Sequence, residues 1–537
     1  MKASETSSIE RAFDALMAVE HYCQSALATC RENPAYQGQR SRHGLAWTFV
    51  LAEGLAALTR WAAALDARGA LQAIDIAVVE AAFQEYLGQL LGGIPASQLE
   101  MIRPSDVGGG AHLLGSDPSV AWFLTAGHGA RARLAGALLE GARPSEAAGD
   151  ETIDAVRDVL RRFSSDQIIP NAQAWHLDNI LLPDAVVESI GALGVFGLPL
   201  PTHHGGTGLG KLAMCVASEE LSRGWLAVGS LGTRSEIAGE LIAESGTEAQ
   251  RRRWLPGIAS GAVLPAAAFT EAGAGSDLSA VATRAVQLAD GGWRLEGTKL
   301  WITHAARADL MVILARTGPQ DGHDGELSLF LAPKPRSESG PRFSVPGLTG
   351  SEIEVLGYRG MKEYELCFDG FEVPAEGLLG GVVGQGFRQL MGTFESARIQ
   401  TAARAVGVAS RALELSVEQA SQREQFGRTI GKFERVSDKL AMMAAEIVMA
   451  RELSYLAARR KDEGRRCDLE AGMAKLLAAR AAWSCADGAV QIHGGGGFAL
   501  EAEPSRLLCD ARVLAIFEGA SEIQAEVVSR RILDRGA

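Results

Sequence analysis

The chain has 537 residues, too many for a single core, so two to four domains are expected. Hydrophobic residues make up 47% and charged residues 22%, the balance of a globular protein. The 65 acids against 52 Lys plus Arg leave a net charge of −13, which argues against nucleic acid or an anionic membrane as partner.

Residues 1–148 read as a helical segment. Apolar spacing of three and four recurs in "IERAFDALMAVEHYCQSALA" and "HGLAWTFVLAEGLAALTRWAAAL", broken once by "MIRPSDVGGG". The start, "MKASETSSIERAF", lacks the basic-then-apolar order of a signal peptide. The apolar stretch 45–65 holds Glu53 and Arg60, a poor membrane span. A soluble cytoplasmic location is expected. "RPSEAAGDE" reads as a linker. Residues 149–261 read as helical again, with loops at "LPLPTHHGGTGLG" and "AESGTEAQ". From 262 to 380, "GGWRLEGTKLWITH", "DLMVILART", "ELSLFLAP" and "YELCFDGFEV" carry β-rich runs bounded by Gly, Pro and Asp. From 381 to 537 long amphipathic helices return, with the spacing of a bundle. The seven cysteines are scattered without a CxxC pair, so no metal site or disulfide framework is signalled.

Several stretches could carry chemistry, each with a plainer alternative. "GGTGLGKL" (205–212) almost matches a phosphate-binding loop, but Leu212 stands where a magnesium-ligating hydroxyl belongs; a surface loop is the better account. His203-His204 lacks a third ligand at metal spacing. "FTEAGAGSDL" (269–278) is a plain turn or a backbone cradle for an anion. "KLWITHAARADL" (299–310) places Trp301, Thr303 and His304 at a strand end, either as core or against a flat cofactor. In "SQREQFG" (421–427), Arg423 and Phe426 would share a helix face, suited to a diphosphate and a ring or to ordinary packing. "QIHGGGGFALE" (491–501) is a helix stop or a close approach to a dinucleotide. In "LAIFEGASEIQAEV", Ser521 and Gln524 read as a capping box, so a helix starts at Ser521 and Glu518-Gly519 lie in a tight turn. Glu518 is then either a surface acid or a carboxylate placed for use.

Five of these stretches, "FTEAGAGSD", "LWITH", "REQFG", "QIHGGGGF" and "IFEGASEIQ", occur in this order at domain-scale spacing, and residues 151–537 resemble the acyl-CoA dehydrogenase family. The resemblance implies an α+β, mainly helical fold: a helical domain, a β-domain and a C-terminal four-helix bundle, with residues 1–148 as an extra helical domain. It implies FAD as cofactor, electron-transfer flavoprotein as acceptor and a homo-oligomer, dimer or tetramer. Phe269, Thr270 and Ser276 match the loop that touches flavin and the CoA portion of the substrate. Trp301 and Thr303 match the pair against the isoalloxazine ring. Arg423 and Phe426 match residues reaching the FAD of a neighbouring subunit, and Gln491, Gly494 and Gly495 match the adenosine-pyrophosphate loop. Glu518 matches the catalytic base, followed by Gly519 on the substrate side. Ala520 and Glu522 fall in the same cofactor-binding segment, Ala520 where the family often has Thr, and His304 replaces a common Asn. Some members carry the base before the first bundle helix's arginine; here that position is Ala397, which cannot act as one, while Arg398 itself is matched to orienting the substrate.

The extension, together with "SLGTRSEI", "GLTGSEIEVLGYRGMKEYEL" and "EGRRCDLEAGMAKLL", resembles the branch of the family that oxidises methylsuccinyl-CoA to mesaconyl-CoA. Such a substrate has a distal carboxylate, and burying it requires a cation. Arg234 is the candidate, unless it pairs with Glu236 or Glu240 on its own helix; Arg307 is the second choice. Two alternatives stay open: a general short- or branched-chain acyl-CoA dehydrogenase, and a flavin-bearing binding protein without activity.

Overall fold

Apolar spacing of three and four residues becomes helix at both ends of the chain. In the computed structural model, which describes residues 2–126, 129–318, 326–336 and 343–534, the principal helices are α1 (Lys2–Glu32), α2 (Gln39–Ala67), α3 (Ala73–Gly92), α4 (Ala130–Leu139), α5 (Glu151–Phe163), α6 (Gly210–Gly224), α7 (Leu226–Ser245), α8 (Gly386–Gln422), α9 (Glu434–Asp462), α10 (Asp468–His493), α11 (Glu503–Val513) and α12 (Ser521–Asp534). Two compact units result. One joins the chain ends, Met1–Asp154 with Thr401–Ala537; the other is Ala155–Gln400.

In the first unit the N-terminal helices pack on the C-terminal ones. Helices α2, α3 and α4 lie against α9, and α2 also lies against α12. Small residues allow this approach. A Cβ added to Gly54 of α2 would stand 3.1 Å from Met449 Cγ on α9 and 3.3 Å from Leu477 Cδ2 on α10. A polar knot forms nearby. Tyr86 of α3 donates its hydroxyl to Glu446 of α9 at 2.9 Å. Arg480 of α10 lies 3.6 Å from Glu446 and stacks over Trp47 (5.1 Å) and Tyr86 (5.7 Å). The linker is tied down as well: Arg451 meets Glu146 at 3.1 Å, and Arg459 donates to the Ala148 carbonyl at 2.8 Å. Among the described residues one helix, α2, is long and apolar enough to cross a membrane; 61% of its most apolar window is buried inside the protein.

The second unit holds a seven-stranded sheet: β1 (Pro265–Ala268), β2 (Arg284–Gln287), β3 (Trp293–Lys299), β4 (Leu310–Arg316), β5 (Leu327–Pro333), β6 (Leu348–Ile353) and β7 (Glu363–Val373). The order is β1-β4-β2-β3-β7-β6, with β5 also pairing β4. Strand β4 runs parallel to β1 and antiparallel to β5, and all seven of its residues are buried. That is why "LMVILAR" reads as a continuous apolar run rather than an alternation. Strand β7 alternates instead and pairs antiparallel with β3 and β6. The sheet's core is built on Trp293, Leu295, Met311, Ile313, Phe330 and Phe368. The turns that carry the candidate site lie at the ends of β1 and β3.

Arg480→Met should lower the thermal midpoint, because it leaves the Glu446 carboxylate and the Tyr86 hydroxyl without their cation. Loss of one member of such a buried set costs about 3 kcal/mol. An unchanged midpoint by calorimetry would mean that the knot adds nothing to the packing of α2 and α3.

Candidate active site

In the second unit, one buried ion pair shapes the loop after β1. Lys299, at the end of β3 and fully buried, donates to Glu271 at 2.7 Å and to the Phe269 carbonyl at 3.0 Å. Glu271 in turn accepts from the backbone N–H groups of Ala282 (2.7 Å) and Thr283 (2.9 Å). Burial pushes Lys299 down to about 8 against the pull of Glu271. Burial would also raise Glu271, but Lys299 and these donors hold it below the usual carboxylate range. Thr270 accepts from the Leu300 N–H at 2.9 Å, so the loop is stitched to the turn after β3. Ser276 lies exposed farther along the loop.

That turn carries Trp301, Thr303 and His304. Trp301 is left-handed (φ +62) and 54% exposed, so it is not core. Thr303 is buried and donates to Glu363 of β7 at 2.8 Å; its oxygen keeps lone pairs for a second partner. His304 is also left-handed (φ +69) and buried. Neither of its ring nitrogens has a hydrogen-bond partner among the described residues. Burial first, and then the facing charges of Arg307, Arg336, Arg234 and Lys334, hold it well below the ordinary histidine value. Arg234 lies on α7. On the same helix, Glu236 and Glu240 receive Lys211 at 2.7 and 3.2 Å. Lys211 belongs to the near-match phosphate loop, so its charge is committed to α7. Arg307 bonds the Leu182 carbonyl and meets Asp184 at 3.1 Å. Arg398 is half-buried on α8, 6.0 Å from the Phe394 ring. No cluster able to hold a metal ion occurs among the described residues.

In the first unit, Glu518 sits in the turn between α11 and α12, half-buried, with φ +53. Gly519 follows at φ +93. Three consecutive residues of the turn are anchored. The buried Arg404 of α8 stacks on Phe517 at 4.8 Å. Gln524 of α12 donates to the Glu518 carbonyl at 3.4 Å. Lys475 of α10, fully buried, donates to the Gly519 carbonyl at 2.5 Å. Sequence reasoning missed all three anchors; the one hint for Lys475 was a lone lysine in the apolar run "AGMAKLLAA".

Two local expectations are corrected. The helix does start at Ser521, but the capping box does not form. Ser521 is the first helical residue, and its hydroxyl bonds the Ala515 carbonyl at 3.4 Å. The Gln524 side chain turns back to Glu518 instead. Nor do Arg423 and Phe426 share a helix face. Helix α8 ends at Gln422, and Glu424–Gln425 pairs antiparallel with Arg428–Thr429. Phe426 (φ +52) and Gly427 (φ +76) form the left-handed two-residue turn that a tight hairpin requires. Arg423 is exposed and Phe426 is 92% exposed. Gln491 is exposed in the last turn of α10, and Gly494 (φ +61) closes that helix. A Cβ added at Gly494 or Gly495 would meet nothing within 4 Å, which leaves the backbone open to close approach. Ala520 is half-buried and Glu522 exposed at the start of α12.

Three family models match the chain in sequence order: the acyl-CoA dehydrogenase N-terminal domain over residues 150–262, the middle domain over 266–371 and the C-terminal domain over 384–533. The chain belongs to the acyl-CoA dehydrogenase family. Its fold is the family's, mostly helical around one sheet, with extra N-terminal helices, and its activity is the dehydrogenation of an acyl-CoA thioester. A (2S)-methylsuccinyl-CoA dehydrogenase from Cereibacter sphaeroides is 51% identical over 538 residues, 97% of this chain and 98% of the relative. The solved butyryl-CoA dehydrogenase of Megasphaera elsdenii superposes with a TM-score of 0.68 at 31% identity, over 72% of this chain and 98% of its own. A glutaryl-CoA dehydrogenase from Mycobacterium smegmatis, solved in complex with FADH2, gives a TM-score of 0.65 at 27% identity, over 72% and 95%. The family binds FAD. An exposed Trp301, a hydroxyl with lone pairs to spare at Thr303 and open glycine backbone at 494–495 fit a flat ring and a diphosphate.

Lys475→Met should lower kcat about 10- to 100-fold with the substrate KM within about threefold, since the lost bond is one to the backbone of the turn, worth about 1.5–3 kcal/mol for a charged donor. The fold should survive, because an apolar side chain of similar length replaces a buried charge. Full kcat in a stable variant would show that the anchor is dispensable. A second expectation concerns acid. His304 stays neutral in the folded chain, whereas the unfolded chain protonates it below about 6.5. Stability present above pH 6.5 is therefore lost as pH falls, by up to roughly 1.4 kcal/mol per pH unit. His304→Gln should flatten the stability profile between pH 6.5 and 5.5 in urea titrations; parallel profiles would contradict the neutral assignment.

Proposed function

We propose that the chain oxidises (2S)-methylsuccinyl-CoA to mesaconyl-CoA, a step of the ethylmalonyl-CoA pathway. The observation that carries this reading is the reach of the 51% identity, which covers 97% of the chain and so includes the N-terminal extension, whereas the butyryl-CoA dehydrogenase covers 72%. The cationic surroundings of His304 support it, since a dicarboxylic acyl group brings an anion into the interior. Residues 1–148 are then the extension, and 149–261, 262–380 and 381–537 the three family domains.

Glu518 is the base in this reading. An α-hydrogen of a thioester is a weak acid, and its removal needs a carboxylate held within hydrogen-bond reach. The clamp on residues 517–519 restricts where that carboxylate can point. Gly519 lets the turn approach the thioester. Arg234 binds the distal carboxylate of the acyl chain, and Arg398 helps orient the substrate. FAD is the cofactor and, when bound, accepts the β-hydrogen with its electron pair. Trp301 and Thr303 would hold its ring, and Phe269, Thr270 and Ser276 would line the approach of ring and CoA. Arg423, Phe426, Gln491, Gly494 and Gly495 would meet the adenosine diphosphate end of the dinucleotide, and Ala520 and Glu522 would border the cofactor from the turn of the base. An electron-transfer flavoprotein as acceptor, and a homo-oligomer of two or four chains, complete the reading. An apolar ring as exposed as Phe426 suits a surface that a second copy covers.

Anaerobic bleaching of the bound flavin tests this. Methylsuccinyl-CoA should bleach it rapidly and butyryl-CoA slowly, and Glu518→Gln should slow bleaching about 10²- to 10⁴-fold. Butyryl-CoA as the better reductant would refute the substrate; an unimpaired Glu518→Gln would refute the base.

A further inference from the structure

We propose that His304 is a specificity residue that donates a neutral hydrogen bond to the distal carboxylate of the acyl chain, beside Arg234. The inference rests on the substrate reading above and deepens it.

Three observations converge on His304. The first is its backbone. His304 is held left-handed, at φ +69, by bonds on both sides: its N–H donates to the Lys362 carbonyl at 3.0 Å, and its carbonyl accepts from Arg307 (3.1 Å) and Ala308 (3.2 Å). The side chain is buried, one residue after Thr303. The second is its isolation. It is 2% exposed, and neither ring nitrogen has a partner among the described residues. A buried donor left unpaired costs about 1–3 kcal/mol, so an imidazole kept there is best explained by a partner that arrives with the ligand. The third is its company. Arg234 faces it from α7, Arg307 from its own turn, and Lys334 and Arg336 from the end of β5. Of these, Lys334 donates to the Ala306 and Ala308 carbonyls, and Arg336 grips Asp309 at 2.6 and 2.7 Å. Arg307 meets Asp184. The nearby acid Glu363 holds Thr303. A ligand atom that satisfies His304 in this field is an acceptor with negative charge, which is what the second carboxylate of a dicarboxylic thioester supplies.

The test compares the unmodified holoenzyme with His304→Phe and His304→Asn on methylsuccinyl-, succinyl-, glutaryl- and butyryl-CoA. His304→Phe keeps the bulk and removes the donor; His304→Asn restores one. The expected result is a loss of about 10- to 100-fold in kcat/KM on the preferred dicarboxylic thioester, mainly through KM. Butyryl-CoA should be used as well or better, since His304→Phe removes the donor that a methyl group leaves unpaired, and His304→Asn should recover much of the loss on the dicarboxylic thioester. Equal losses on dicarboxylic and monocarboxylic thioesters, or no loss on either, would overturn the assignment. The substrate reading fails separately: if the unmodified enzyme prefers glutaryl- or succinyl-CoA and His304→Phe selectively loses that preference, methylsuccinyl-CoA is wrong and His304 stands. If the unmodified enzyme uses butyryl-CoA best, both are wrong.

Discussion

A non-glycine residue at φ +53 is strained, by roughly 1–2 kcal/mol, and Glu518 is held there. The strain persists because the surroundings over-determine the turn. Arg404 from α8, Lys475 from α10 and Gln524 from α12 fix three consecutive residues. Gly519 follows from the same constraint: at φ +93, a Cβ there would stand 2.0 Å from Gln524 Nε2. The bundle is thus more than a frame, because it decides where one carboxylate can point. The N-terminal helices enter this chain of dependence indirectly. They cover α9 and α10, and α10 is the helix from which Lys475 projects. Anything that loosens Tyr86, Glu446 and Arg480 loosens the support of that anchor.

The second unit handles buried charge in two ways. Where a cation only shapes the backbone, it is given an anion on the spot: Lys299 has Glu271, Lys211 has Glu236 and Glu240, and Arg157 has Glu219 and Glu220. Near His304 the balance differs. Asp309 and Asp184 each take one arginine, and the imidazole has no anion of its own among the described residues: burial first, and then the facing cations, keep it uncharged.

Much of the fold was legible in the sequence, for a physical reason. Long helices and buried strands repeat their apolar residues over many positions, so "DLMVILART" and "YELCFDGFEV" were recognisable as strands and the bundle helices as helices. Strands β2 and β6 escaped. They are short and largely exposed, and exposed strands carry no apolar signature. The hairpin at 424–429 was hidden because Phe426 occupies a left-handed position that favours Gly or Asn. The motif residues were legible through resemblance, but their anchors were not. Lys475 and Arg404 act through space from other helices, and linear spacing does not encode such contacts. The capping box failed for a related reason: Gln524 had a competing partner in the Glu518 carbonyl, which only the folded turn presents.

The neutral state of His304 bears on how an acyl group is selected. A guanidinium attracts any anion within its field, with weak regard for where the charge sits. A neutral N–H adds little field but imposes direction, so it rewards a carboxylate at one position along the acyl chain. It also penalises the wrong ligand. A butyryl chain would enter the same space with methyl in place of carboxylate, leaving a buried donor unpaired. Unpaired buried groups reject an analogue far more strongly than a missing apolar contact does. Keeping the imidazole uncharged, by burial first and then by the facing cations, therefore makes discrimination a property of the empty pocket's own polarity. The left-handed turn after β3 serves both demands at once, presenting Thr303 toward Glu363 and His304 into the cationic field within two residues.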